Sequence, residues 1–176
     1  MRKLIVCMLM SCAAGLFAQV GKQFPELSGT TLEDKAITLP GDIKGKETIV
    51  CLAYSRKAEE ALHSWINPLY NRFFNKTDIM ADLDDVNLFF VPMFTGIHQP
   101  TENMAKKQLK EGTSKEFLSK IICYHGSIKP YKETLGLTDK DEPYFFILDP
   151  NGKIKYMTSG FYNDKKLEEI IDHVEE

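Results

Sequence analysis

Between Leu52 and Ile122 the sequence has no cysteine at all, and that gap excludes more than any residue present. The four cysteines of the 176-residue chain, Cys7, Cys12, Cys51 and Cys123, lack the paired spacing of a metal site and are too sparse for a disulfide-stapled scaffold. Positive charge is scarce too. With 22 Lys and Arg against 25 Asp and Glu, the formal charge is −3, and no basic face suited to nucleic acid is visible. Long apolar runs are missing: Leu4–Met10 falls well short of the ~20 residues that cross a bilayer. Repeats, low-complexity tracts and linker-like stretches are also lacking. At 43% hydrophobic and 27% charged residues, the chain reads as one ordinary folded domain.

What is present begins with a leader. Arg2-Lys3, the apolar Leu4–Met10 and the small residues ending at Gly15-Leu-Phe-Ala18 have the basic, hydrophobic and cleavage regions of a secretory signal peptide, cut after Ala18. Residues 19–176 are then the mature domain, exported and periplasmic. The alternative is Leu9-Met-Ser-Cys12, which resembles a lipoprotein processing box and would leave a lipid anchor on Cys12. Cleavage after Ala18 removes Arg2 and Lys3, leaving 20 cations against 25 carboxylates and a formal charge of −5. It also removes Cys7 and Cys12. Of the remaining thiols, Cys51 lies in an apolar run and reads as buried; Cys123, beside Tyr124 and His125, reads as the freer one.

Periodicity orders the domain. Gly29–Pro40 alternates weakly around turn residues and reads as a hairpin. TIVCLAY, residues 48–54, reads as a central strand buried on both faces. From Ala58 to Phe74, Ala61, Leu62, Trp65, Leu69 and Phe73 recur at three- and four-residue spacing, predicting an amphipathic helix. Ser55 can cap it, and Pro68 should kink it. Asp78–Asp85 is an acidic connector, Val86–Phe94 a second buried strand, Thr95–Thr101 a loop, and Glu102–Lys120 one or two helices around Gly112. Ile121–Tyr124 reads as a short edge strand and Tyr131–Leu135 as a short helix. Pro143–Leu148, the Asp149–Gly152 turn and Lys153–Thr158 form a hairpin, followed by a helix over Asp164–Val174. A parallel crossover followed by an antiparallel hairpin and a helix resembles the thioredoxin-like layout, and the fold expected is α/β, a central mixed sheet flanked by helices, with an N-terminal hairpin extension.

The motifs agree. VGKQFPELSGTTLEDKAITLPGDIKGKETIVCLAYS resembles the opening of peroxiredoxin-like and membrane-anchored thioredoxin-like proteins. Glu142-Pro143 followed by YFFILDPNGKI resembles their cis-proline strand and Asp-x-x-Gly hairpin. The likeness covers about residues 21–174. It implies a W-C-x-x-C at Ser55–Glu59, where the chain reads Ser-Arg-Lys-Ala-Glu; the peroxidase pattern P-x-x-x-T/S-x-x-C fails as well. VNLFFVPMF and LGLTDKDEPYFFILDPNGKI are similar to a thioredoxin-like family that lacks these cysteines and assists assembly of mitochondrial ATP synthase.

In this topology the Ser55 turn, the Phe94–Gln99 loop and the Glu142-Pro143 turn meet at one sheet edge, where open α/β sheets bind ligands. The candidate binding residues are Ser55, Arg56, Lys57, Phe94, Thr95, His98, Glu142 and Pro143, with Met93 and Ile97 adding to an apolar floor. No catalytic residue is assigned. No cofactor or metal is expected, because His63, His98, His125 and Cys123 show no ligand spacing. Disulfide exchange requires an exposed thiolate. The expectation is therefore a non-catalytic protein that binds an extended polypeptide and aids assembly or folding. The alternative is an atypical thiol-disulfide oxidoreductase or peroxidase using Cys123 or Cys51.

Overall fold

The computed structural model describes residues 18–43, 45–74, 86–96 and 99–175. The leader up to residue 17, the acidic connector Asp78–Asp85, and Ile97 and His98 lie outside them. Seven strands, β1 (Leu27–Thr31), β2 (Ala36–Leu39), β3 (Thr48–Ala53), β4 (Asn87–Phe94), β5 (Ile122–His125), β6 (Tyr144–Leu148) and β7 (Ile154–Ser159), form one sheet in the order β2-β1-β5-β4-β3-β6-β7. The α-helices of the described residues are α1 (Arg56–Phe74), α2 (Gln99–Glu111), α3 (Lys129–Leu135) and α4 (Asp164–Glu175). Strands β3, β4 and β5 are parallel, while β6, β7 and the β1–β2 hairpin add antiparallel neighbours.

All six residues of β3 are buried, as its unbroken apolar run requires, and successive side chains serve opposite faces. Ile49, Cys51 and Ala53 join Trp65, Leu69 and Phe73 of α1 and Ile170 and Val174 of α4 in one cluster. Val50 and Leu52 join Phe24, Tyr131, Leu135 and Phe146 in the other. The α1 stripe is thus the cover of one sheet face. Its N-terminus is capped as the sequence indicates: the Ala58 N–H donates to Ser55 Oγ at 3.1 Å. The helix continues through Pro68 to Phe74 as one element. Trp65, Leu69 and Phe73 are buried on either side of the proline, which holds the two segments on a common surface despite the missing donor.

Two expectations are corrected. First, β5 is an interior strand: the β1–β2 hairpin folds across the sheet and pairs Thr30 with Cys123 and Thr31 with Ile122. Gly29 permits the approach, since a Cβ there would stand 2.6 Å from Ile122 Cγ2 and 2.7 Å from the Cys123 carbonyl oxygen. Cys123 is therefore covered. Second, Glu142–Pro143 is not a cis peptide; among the described residues the cis bond is Leu39–Pro40. Most X–Pro bonds in folded proteins are trans, and the chain here is already on course into β6: the Pro143 carbonyl accepts the Gly160 N–H at 3.0 Å.

The closing hairpin follows the sequence reading. Asp149 Oδ1 accepts the N–H groups of Asn151 (2.8 Å) and Lys153 (2.9 Å), and Gly152 takes a positive φ of 81°, which favours glycine.

Candidate functional site at the ends of the parallel strands

The three parallel strands end together, so Ser55 after β3, Phe94 in β4 and His125 in β5 share one edge. The segment before β6 closes on the same place. Lys57 Nζ lies 3.2 Å from Asp141 Oδ2, and this contact holds the Asp141 carboxyl below the usual range. Tyr54 donates its hydroxyl to the Asp139 carbonyl at 2.9 Å, and the Asp139 N–H donates to Tyr144 Oη at 2.6 Å. The Tyr54 and Tyr144 rings stack at 6.3 Å, and Lys132 Nζ sits 5.2 Å from the Tyr54 ring. Burial, then Tyr144, pushes the Tyr54 hydroxyl up, so it remains a donor at neutral pH.

The structure gathers most of the residues expected at this edge, but with unequal roles. Arg56 is almost fully exposed and pairs with Glu60 at 3.3 Å. Phe94 is half-buried and stacks on His125 at 5.4 Å. Thr95 is half-buried, and Met93 lies in the core. Pro143 is buried, with its carbonyl already bonded, so it does not offer a free strand edge. Glu142 turns toward β7, where Ser159 Oγ donates to it at 2.8 Å. Among the described residues, His63, Cys123 and His125 included, no three His, Cys, Asp or Glu groups converge as a metal site would require. Tyr54, Tyr144, Asp139 and Asp141 were not singled out from sequence. The signal lay in the tyrosine directly before Ser55 and in the two carboxylates of the TDKDEP segment.

Neither sulfur reaches the edge. Cys51 and Cys123 are both fully buried, at 0% exposure. Burial raises the Cys51 thiol well above its ordinary pKa, which suppresses the nucleophilic thiolate. The sequence reading of Cys123 as the freer thiol is corrected by the hairpin that covers β5.

Beside the edge, a cleft of about 550 Å³ opens between α1 and α2, floored by Phe90, Pro92 and Phe94 of β4. Glu59 lines it. Burial raises the Glu59 carboxyl, with His63 and Arg56 opposing and Glu60 adding to the shift. Because its folded pKa exceeds its unfolded one, the native state holds this proton more readily, and the group's effect on stability worsens as pH rises through the folded value. Glu59→Gln is therefore expected to raise the thermal midpoint at pH 7–8. No gain is expected at about pH 3.5, below the unfolded carboxyl's ~4.3. Equal midpoints of the two proteins at both pH values would refute this account.

The strand order, the β3-α1-β4 crossover and the strand-end edge define a thioredoxin-like α/β protein. Solved structures of the same fold bear this out. The thioredoxin domain of a thiol-disulfide oxidoreductase from Bacteroides vulgatus superposes with a TM-score of 0.57 at 17% identity, covering 88% of this chain and 97% of that one. A pneumococcal exposed lipoprotein thioredoxin from Streptococcus pneumoniae gives 0.57 at 16% identity, over 86% and 98%. BsSco, a member of the Sco family of cytochrome c oxidase assembly proteins, gives 0.54 at 12% identity, over 87% and 94%. No curated protein matches the chain in sequence. The family model described as ATP10 protein matches residues 16–176: the chain belongs to the ATP10 family. The resemblance carried by VNLFFVPMF and LGLTDKDEPYFFILDPNGKI is thus the one that places it.

Proposed function

We propose that this protein is exported and acts without catalysis, as a polypeptide-binding aid to assembly or folding that meets its partner at the strand-end edge. One observation carries the reading. The β3–α1 turn, where the thioredoxin-like pattern puts its dithiol, presents Ser55, Arg56 and Lys57, while Cys51 and Cys123 are shut in the core. With the Pro143 carbonyl taken by Gly160, a partner would be held by the side chains exposed at the turn, Arg56 and Lys57, and that contact needs no sulfur. An assembly role accords with the ATP10 family, whose resemblance implies assistance to ATP synthase assembly, and with the cytochrome c oxidase assembly protein among the structural relatives. Export rests on the leader at residues 1–18; among the described residues no helix is long and apolar enough to cross a membrane.

The test joins thiol reactivity to client handling. In the native protein both thiols should react with a chromogenic disulfide at least a hundredfold more slowly than after denaturation. The same native protein should slow the aggregation of reduced, unfolded lysozyme, measured by light scattering. Arg56→Glu/Lys57→Glu should weaken that protection. Rapid native labelling together with insulin reduction would establish the oxidoreductase alternative instead, and undiminished protection by the charge-reversed variant would remove the edge as the docking place.

A further inference from the structure

The cleft between α1 and α2 has an unusual lining. Leu62 and Ile66 of α1, Phe90 and Phe94 of β4, Leu109 of α2 and Phe117 make it apolar, and Glu59 and His63 are its titratable side chains. Described residues from β4, α2 and the 113–117 turn contribute no other charge to the lining. The cations nearest to Glu59 in sequence are engaged elsewhere: Arg56 pairs with Glu60 at 3.3 Å, and Lys57 with Asp141 at 3.2 Å. No described cation stands within ion-pair distance of Glu59; His63, in the same lining, and Arg56 act on its carboxyl only from farther away.

The far wall is held in place from outside. Asp34, in the β1–β2 turn, takes Lys106 Nζ at 2.9 Å and Lys110 Nζ at 3.2 Å, tying α2 to the hairpin while Ala105 and Leu109 face the cleft. Phe94 belongs both to the cleft floor and, through its stack on His125, to the strand-end edge. The two surfaces are continuous.

We propose that this cleft is a docking groove for an apolar segment of a partner polypeptide, with one lysine or arginine of that segment closing on the Glu59 carboxylate. The inference deepens the polypeptide-binding reading and rests on it. Apolar walls between two helices suit a segment of hydrophobic side chains. A carboxylate with no cation in direct contact favours a basic residue among them, because a charge-assisted hydrogen bond in a partly dry cleft is stronger than one in water. The acidic domain, at −5 after residue 18, steers the same class of partner.

Fluorescence anisotropy tests it with a labelled peptide, Gly-Ser-Leu-Phe-Leu-Lys-Leu-Gly-Ser, and two versions in which its lysine is replaced by glutamate or norleucine. The lysine peptide should bind the wild-type protein at least tenfold tighter than the glutamate one, with norleucine between. Glu59→Gln should bind all three within threefold of one another. Leu109→Trp, which fills the groove, should weaken all three at least tenfold; a circular dichroism spectrum and thermal midpoint like the wild type's show that it is folded. A lysine preference that survives Glu59→Gln overturns the proposal whatever Leu109→Trp does. Protection of unfolded lysozyme without binding of any peptide overturns the groove and leaves the edge reading standing. Failure of both assays removes both.

Discussion

Arg56→Cys/Glu59→Cys is expected to turn an inert helix start into a working dithiol. The wild-type protein should reduce insulin, in the presence of dithiothreitol, no faster than the reagent alone. The double variant should exceed that background at least tenfold. The physical grounds lie in the turn. Arg56 is the first residue of α1, its side chain 92% exposed, and Ser55 still caps the helix through the Ala58 N–H. A thiol at that position meets the positive end of the helix and the Lys57 ammonium, and both favour the thiolate. The half-buried place of Glu59 is one helical turn away on the same face, where a second thiol can resolve a mixed disulfide. The substitution supplies the missing sulfur and removes the exposed Arg56–Glu60 pair and the Glu59 carboxylate of the cleft. Insulin reduction by the wild-type protein above background would sink the non-catalytic reading. A folded double variant with two reactive thiols and no turnover would show that this turn has lost more than its cysteines.

Trp65→Ala should bring the largest loss of stability from any single side chain at this end of the molecule. Trp65 is fully buried, its ring 4.4 Å from Phe145 and 5.3 Å from Tyr162. Its indole N–H donates to the Gly160 carbonyl at 2.9 Å. One residue therefore joins α1 to β6 and to the chain leaving β7. Truncation opens a cavity and strands a buried carbonyl, at about 3–5 kcal/mol. Against a total of ~5–15 kcal/mol for a domain, that lowers the thermal midpoint by on the order of 10 °C. Trp65→Phe keeps most of the ring and loses the donor, so it should cost about 1–3 kcal/mol. A Trp65→Ala loss below about 1 kcal/mol would mean that the indole is not the link described here.

Those two positions also mark how far the sequence could be read. The Trp65 stripe was visible because helical period 3.6 repeats over several turns, and burial of one helix face needs nothing beyond that repeat. The β3 run and the Asp149–Gly152 turn were visible for a similar reason, since each depends on residues adjacent in the chain. The Ser55 cap is equally local. Cys123 was misread because its environment is made by β1, some ninety positions earlier, and no pattern around residue 123 announces that a hairpin will cross over it. The family likeness implies a cis bond at Glu142-Pro143, whereas among the described residues the cis bond lies at Leu39–Pro40, a position no motif marks. The edge residues were half legible. Ser55, Arg56 and Lys57 follow from the end of a parallel strand, whereas Tyr54, Asp139, Asp141 and Tyr144 meet only once β6 is laid antiparallel to β3.

By itself the sequence determined which segments become helix or strand, and that the turn after β3 has no sulfur to react with. These are properties of local spacing and of residue identity, which folding does not alter. Tertiary structure decided which thiols are sealed, that Lys57 meets Asp141, and that the Glu59 carboxylate overlooks an apolar cleft while its neighbouring cations pair elsewhere. Burial and charge pairing are set by segments distant along the chain, so they exist only after the sheet has closed around them.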